Sequence, residues 1–215
     1  MIGNNRLWTS LALAGLGLGA GFVLGLRAAP DLREPSHYVA IRGHFVSEQA
    51  ARFGRADTLI IGDSLSEEAD LFGVCGRTFN AGVAGARLRD AVGTTPALLD
   101  AISPETLVVS LGTNDFLGKP PADFRRRYEE FVRSLGDRRL ILVGIAISQE
   151  GNAIIRATAG KTGARFVPPV RQLGPDGVHH TAEGSRSYRR SLAEACEELD
   201  PARPTVQAAR RPATT

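Results

Sequence analysis

Thr58-Leu59-Ile60-Ile61-Gly62-Asp63-Ser64-Leu65 is the stretch that decides the fold of this chain. It opens with a short apolar run that ends at Gly62, which is typical of a buried strand. The next residues, Ser66-Glu67-Glu68, place carboxylates in the first turn of a helix, where the helix dipole stabilises them. A buried strand that turns directly into a helix predicts a parallel α/β sheet, with Ser64 at the turn.

The rest of the chain repeats this alternation of strand and helix. Further short apolar segments predict strands at residues 77–79, 106–111, 140–145 and 165–167. Periodic segments predict helices at residues 38–53, 86–102, 122–135, 151–159 and 181–199, the second of them with a break between Gly93 and Pro96. The fold class is therefore α/β, with a parallel five-stranded sheet that carries helices on both faces. Ligands of such sheets bind beyond the carboxyl ends of the strands.

The composition is that of one folded domain with extra segments at both ends. A chain of 215 residues with 43% hydrophobic and 23% charged residues can bury a sizeable core. We assign residues 36–200 to this domain and residues 27–35, which contain two prolines, to a linker. Residues 201–215 are rich in Pro, Ala and Arg without periodicity, which predicts a disordered tail.

Residues 7–26, after a short segment at residues 1–6, form a stretch of 20 residues without a charge. A helix of about 20 apolar residues spans the hydrocarbon core of a membrane. The apolar core of a cleaved signal peptide is usually shorter, about 7–15 residues, and the residues after Leu26 make a poor cleavage site. We therefore expect an uncleaved transmembrane signal anchor. The flanking basic residues do not decide the orientation. A signal anchor and a cleaved signal peptide would both export the domain. We therefore expect an anchored domain on the outer side of the membrane, in the bacterial cell envelope, and secretion after cleavage is the alternative.

The charge pattern argues against nucleic-acid binding. The formal net charge is +3, and aromatic residues make up only 6% of the chain. A nucleic-acid-binding domain usually gathers its basic residues on one face together with stacking aromatic residues. The densest basic run, Arg125-Arg126-Arg127, lies in a predicted helix and is typical of a solvated helix face.

The two cysteines, Cys75 and Cys196, do not have the spacing of a metal site. In the predicted sheet both lie at the edge opposite the ligand-binding edge, so a disulfide is geometrically plausible in an exported domain. Two buried free thiols are the alternative.

Four short segments place reactive groups near the carboxyl ends of the predicted strands. They are residues 62–65, 80–82, 112–115 and 176–179. Ser64 offers a hydroxyl at a helix N-terminus, where negative charge is stabilised. Gly82 offers a backbone N–H that a substrate can approach closely, and the amide of Asn114 can donate to a developing oxyanion. Each of these residues, taken alone, also fits an ordinary cap or turn.

An Asp/His pair completes this set. His179 needs a partner that sets its tautomer if it is to act as a base, and Asp176, on the same loop, can reach its Nδ1. The adjacent His180 should point elsewhere. A serine, a base, an orienting carboxylate and oxyanion donors are the groups that acyl transfer requires, so the pattern predicts ester chemistry.

Together the four segments resemble the SGNH hydrolase family, also called GDSL esterases and lipases. The four family letters correspond to Ser64, Gly82, Asn114 and His179. The resemblance covers about residues 56–190, and it implies a three-layer, flavodoxin-like α/β/α sandwich. One departure is the pair Glu67-Glu68, which would disfavour anionic substrates if it faced the site.

The resemblance also implies a serine esterase mechanism. Ser64 would attack the ester carbonyl, with His179 as general base and Asp176 holding the imidazole. The N–H groups of Ser64 and Gly82 and the side chain of Asn114 would hold the oxyanion. No metal or organic cofactor is implied.

The sequence leaves the substrate open. We expect a small-molecule or polysaccharide O-acyl ester with a short acyl group such as acetyl. The same residues suit an O-acyltransferase for an envelope polysaccharide, or a lipid hydrolase of the lysophospholipase or thioesterase type. A catalytically silent, membrane-tethered module is a further alternative, and the intact Ser64, Asp176 and His179 count against it.

Overall fold

The computed structural model describes residues 36–199, which form a parallel sheet flanked by helices. The strands are β1 Thr58–Gly62, β2 Thr78–Gly82, β3 Thr106–Ser110, β4 Arg139–Val143 and β5 Arg165–Val167. The helices are α1 His37–Phe53, α2 Ser64–Glu67, α3 Leu88–Ile102, α4 Thr113–Phe116, α5 Phe124–Ser134, α6 Gln149–Thr162 and α7 Ala182–Leu199.

The five strands are parallel and lie in the order β2-β1-β3-β4-β5. The predicted five-stranded parallel sheet is therefore confirmed. The strand order reverses at β1, whose neighbours are β2 on one side and β3 on the other. In doubly wound sheets the crevice at such a reversal is where ligands bind. Gly62 lies opposite Gly82 on β2 and Ser110 on β3, so these three strands end at the same level.

Side chains from the sheet pack against helices on both faces, which makes the three layers. Leu59 and Ile61 of β1 belong to an apolar cluster with α1, α3, α5 and α6. Ile60, between them, belongs to a second cluster with α7 and residues 69–75. Full burial of an aliphatic side chain stabilises a fold by about 1.5–3 kcal/mol, so Leu59, Ile60 and Ile61 all contribute, which accounts for the continuous apolar run of β1.

Helix α3 runs without interruption through Gly93 and Pro96, so the predicted break there is wrong. Its apolar face continues on both sides of the proline, with Leu88, Leu98 and Ile102 buried against the sheet. A glycine and a proline in a helix interior cost about 1 and 3 kcal/mol. Burial of this face outweighs that cost, which a local pattern cannot reveal.

Three predicted segments lie outside the described residues. These are the transmembrane helix over residues 7–26, the linker over residues 27–35 and the tail over residues 201–215. Among residues 36–199, no helix combines the length and apolar character that a membrane crossing requires.

A disulfide joins Cys75 to Cys196, and their Cα atoms are 5.8 Å apart. Thr58, the first residue of β1, donates its hydroxyl to the Cys75 carbonyl at 2.8 Å. The bridge therefore lies at the amino ends of the strands and ties the segment after α2 to helix α7. Of the two states that the sequence leaves open, the structure has the disulfide.

Candidate active site

Ser64 lies at the point where β1 turns into helix α2. Asp63 caps this helix, because its Oδ1 accepts the N–H of Leu65 at 3.1 Å. Asp63 is fully buried, and burial raises the pKa of its carboxyl to about 6. The cap holds the strand-to-helix turn, and it leaves the Ser64 hydroxyl free to point toward the loop that carries the histidine.

A chain of hydrogen bonds joins Ser64, His179 and Asp176. His179 Nε2 lies 3.0 Å from Ser64 Oγ, and His179 Nδ1 lies 2.6 Å from Asp176 Oδ2. The second oxygen, Asp176 Oδ1, accepts the backbone N–H groups of Val178 and His179, each at 3.0 Å. The two backbone hydrogen bonds therefore fix the carboxylate on its own loop, and the bond to Nδ1 orients the imidazole.

The charges in this chain of bonds shift the acidity of both partners. The hydrogen bond from His179 and the two backbone N–H groups lower the pKa of Asp176 to about 2. The hydrogen bond to Asp176 raises the pKa of His179 above its ordinary value. Asp176 is thus an anion at neutral pH, and it stabilises the imidazolium form of His179.

Gly82 does not present a free N–H group. Its N–H donates to Asn80 Oδ1 at 3.0 Å, and Asn80 Nδ2 donates to the Ser66 carbonyl at 2.7 Å. A Cβ at Gly82 would come within 2.9 Å of the Glu67 Cα. The predicted oxyanion donor is therefore a residue of close packing, because β2 is an edge strand whose outward N–H is taken by a neighbouring side chain.

The free N–H in this segment belongs to Gly85. The Ala86 N–H donates to the Val83 carbonyl at 3.0 Å, which closes a four-residue turn. Gly85 has φ +80° at the third position of the turn, while Ala84 has a negative φ, so the turn is of type II. Within residues 36–199 the N–H groups of Gly85 and Ser64 have no hydrogen-bond partner. Glycine at this position of a type II turn is the signal by which sequence reasoning could have found Gly85.

Asn114 lies in helix α4, directly after β3, and reaches this turn. Its Nδ2 donates to the Ala86 carbonyl at 3.0 Å. The next residue, Asp115, accepts the Leu88 N–H with its Oδ2 at 3.0 Å. The structure thus brings the predicted Asn114 against the Gly85 turn, and a second N–H of the amide is available to a ligand.

Comparisons with known proteins agree with this architecture. No family model and no curated protein matches the chain. Solved structures do match, among them a GDSL-like lipase from Bacteroides thetaiotaomicron with a TM-score of 0.59 and 20% identity, covering 75% of this chain and 99% of that one. The chain has the fold of the GDSL-type, or SGNH, hydrolases.

Two further structures with this GDSL-type fold are named as esterases. One is the esterase EstA from Pseudoalteromonas sp., with a TM-score of 0.57 and 18% identity, covering 67% of this chain and 98% of that one. The other is an acetylxylan esterase from Geobacillus stearothermophilus, with a TM-score of 0.54 and 16% identity, covering 66% of this chain and 95% of that one. The fold that the sequence resemblance implied is therefore confirmed.

The two glutamates after the serine of this GDSL-type fold point in different directions. Glu68 is exposed, and its Oε1 lies 4.0 Å from His179 Nε2. Glu67 turns away and bonds to helix α1. Of these two glutamates, only Glu68 therefore adds negative charge beside Ser64 and His179.

His180 is turned away from the site. Its ring packs on Tyr188, with ring centroids 5.4 Å apart, and it pairs with Leu173 in an isolated bridge. Tyr188, fully buried, shares a hydrogen bond of 3.0 Å with Ser66 Oγ beneath helix α2. These contacts anchor the histidine loop to the helix that carries Ser64. Among residues 36–199, no group of His, Cys, Asp and Glu side chains is arranged to hold a metal ion.

Proposed function

We propose that this protein is a serine ester hydrolase of the SGNH type, which cleaves an O-acyl ester through an acyl-enzyme on Ser64. The observation that carries the proposal is the chain of hydrogen bonds from Ser64 through His179 to Asp176. A serine hydroxyl is a weak nucleophile until an adjacent base takes its proton. Here the base is within hydrogen-bond distance, and its orientation is set by a carboxylate.

The reaction proceeds in two halves. Ser64 Oγ bonds to the ester carbonyl carbon while its proton passes to His179 Nε2, and the carbonyl oxygen becomes an oxyanion. The intermediate collapses, the bond from carbon to the leaving oxygen breaks, and His179 returns the proton to that oxygen. Water then attacks the acyl-enzyme, gives its proton to His179, and releases the acid as Ser64 recovers its hydrogen.

The oxyanion is held by the N–H of Ser64, the N–H of Gly85 and the side-chain amide of Asn114. Support for this set comes from the hydrogen bonds: the first two N–H groups have no partner within residues 36–199, and Asn114 contacts the Gly85 turn. Removal of one such donor typically lowers kcat by about 10²–10³-fold. Gly82 is not part of this set, because its N–H is already bonded.

The substrate that we propose is an uncharged or cationic small-molecule or polysaccharide ester with a short acyl group such as acetyl. The exposed carboxylate of Glu68, 4.0 Å from His179, supports selection against anionic substrates. The likeness to an acetylxylan esterase supports a short acyl group on a saccharide hydroxyl.

We propose that the domain acts outside the cytoplasm, attached to the membrane through residues 7–26. The disulfide between Cys75 and Cys196 supports this location, because disulfides persist in oxidising compartments. Protease treatment of spheroplasts, from which the outer layers of the envelope have been removed, and of lysed cells tests the orientation. Digestion of the domain only after lysis would contradict it.

An assay of p-nitrophenyl acetate, butyrate and octanoate hydrolysis by the full chain tests the proposed function. We expect hydrolysis that is fastest for acetate and is lost in Ser64→Ala, whose folding is checked by circular dichroism. Equal rates in the wild type and in Ser64→Ala would contradict the proposal. Fluorophosphonate labelling of Ser64 without ester hydrolysis would point instead to an acyltransferase that needs its own acceptor.

A further inference from the structure

Glu67 gathers hydrogen-bond donors from two parts of the chain that are distant in sequence. Its Oε1 accepts Tyr38 Oη–H at 2.9 Å and Arg42 Nε–H at 2.6 Å, both from helix α1. Its Oε2 accepts the backbone N–H of Ala84 at 2.5 Å. The Glu67 side chain is only 16% exposed, so its bonds with Arg42 and Ala84 are partly buried, whereas its bond with Tyr38 is exposed.

The Ala84 N–H belongs to the type II turn that carries Gly85. The turn is also held at its two ends, because the Val83 N–H donates to the Gly62 carbonyl at 3.1 Å and Asn114 donates to the Ala86 carbonyl. Glu67 adds a third hydrogen bond to the turn, because it accepts the N–H of Ala84 at the second position. The free N–H of Gly85 belongs to the peptide group that joins Ala84 to Gly85. The hydrogen bond from the Ala84 N–H to Glu67 therefore restrains the residue at the start of that peptide group.

We propose that Glu67 is a positioning residue for the oxyanion hole: by accepting the Ala84 N–H, it fixes the direction of the Gly85 N–H, and helix α1 holds it there through Tyr38 and Arg42. This inference rests on the proposed function. Glu67 does not touch the reacting atoms, and its part in the reaction is carried by the turn.

The charge on Glu67 is suited to this part. Burial by itself raises the pKa of the Glu67 carboxyl, but hydrogen bonds from Arg42 and from the Ala84 N–H lower it below its ordinary value. Glu67 is therefore an acceptor with two charged oxygens at neutral pH. Hydrogen bonds to a charged acceptor are roughly twice as strong as neutral ones.

The first test is Glu67→Gln in the full chain. An amide has one acceptor oxygen, so it cannot serve both the Ala84 N–H and the two donors of helix α1. We expect kcat for p-nitrophenyl acetate to fall by about ten- to a hundredfold, since small displacements of a reacting group cost this much, while KM changes little. Glu48→Gln, which removes an exposed carboxylate from helix α1, is the control and should keep the wild-type kcat.

The second test removes the same bond from the other side. Proline is favoured at the second position of a type II turn, so Ala84→Pro keeps the turn, removes the N–H that Glu67 accepts and puts the ring Cδ where the carboxylate lies. We expect a fall in kcat at least as large as that of Glu67→Gln. The midpoint of thermal unfolding should also fall, because proline destabilises a fold where the native N–H is hydrogen-bonded, while the circular dichroism spectrum should stay that of the folded wild type. In the double variant, Glu67→Gln should add little to the loss, because the two changes break one interaction.

The outcomes separate this inference from the proposed function. If wild-type hydrolysis does not depend on Ser64, the proposed function fails. If hydrolysis depends on Ser64 but Glu67→Gln and Ala84→Pro keep the wild-type kcat, or if their effects on kcat multiply in the double variant, the positioning role is overturned.

Discussion

In the proposed mechanism, the reactivity of Ser64 depends on the protonation state of His179, because only a neutral imidazole can accept the serine proton. The hydrogen bond to Asp176 raises the pKa of His179, so the inactive imidazolium persists to a higher pH than in a free histidine. We expect kcat/KM to be lost as the pH falls through this pKa, with a midpoint above the ordinary value of about 6.5. A pH profile of p-nitrophenyl acetate hydrolysis measures it.

Asp176→Asn gives the matching control. The amide removes the negative charge that stabilises the imidazolium, so the midpoint of the profile should move down. The rate should fall by about a hundredfold or more, because the base loses its orientation. A midpoint that stays at the wild-type pH would show that Asp176 does not act on His179.

At the residue scale, the sequence predicts the three residues that the structure joins by hydrogen bonds, but the glycine that it names, Gly82, has its N–H bonded to Asn80. Ser64, Asp176 and His179 are marked by residue type and by their places after strands. Gly82 and Gly85 are both glycines in one short segment, and either N–H could face a substrate. The difference lies in the side chain of Asn80, which bonds to the first N–H, and no spacing rule reports that contact.

At the element scale, Gly82 is a contact between β2 and helix α2. A methyl group at this position would meet the Cα of Glu67 at 2.9 Å, and this backbone cannot move away without shifting the helix that begins with Ser64. We expect Gly82→Ala to lower the free energy of unfolding by about 1–3 kcal/mol, the usual cost of overpacking. Urea denaturation of the full chain measures it.

Gly93→Ala is the matched control for this prediction. Gly93 lies in helix α3, and a methyl group there meets no atom within 4 Å. The control should be as stable as the wild type or more stable. Equal stability of Gly82→Ala and Gly93→Ala would contradict the close contact between β2 and α2.

The elements themselves follow from the sequence to different degrees. Strand β5 matches its predicted range of residues 165–167. A short segment between two helices of an α/β chain indicates a strand, so its position could be predicted from the sequence. Helix α3 departs from prediction at Pro96, because its stability comes from the face that it buries and not from local propensity. The hydrogen bond from the Ala84 N–H to Glu67 joins residues that are distant in sequence, and no pattern in the sequence predicts it.

At the scale of the whole molecule, the disulfide joins two residues separated by 121 positions. A bridge of that span restricts the unfolded chain, and loss of a native disulfide typically costs about 2–5 kcal/mol. We expect the double variant Cys75→Ser/Cys196→Ser to unfold at a lower urea concentration than the wild type. Its kcat should stay the same, because the bridge lies at the end of the sheet opposite Ser64. A denaturation midpoint that does not change would argue against the bridge.

The central claim is that Ser64 carries the acyl group during turnover. The most direct test is to quench the full chain with acid during hydrolysis of p-nitrophenyl acetate and to map its peptides by mass spectrometry. We predict an acetyl group on Ser64 in the wild type, and no acetylation of that peptide in Ser64→Ala or His179→Ala. Steady hydrolysis with the acetyl group on another residue, or with equal labelling in the His179→Ala variant, would contradict the account.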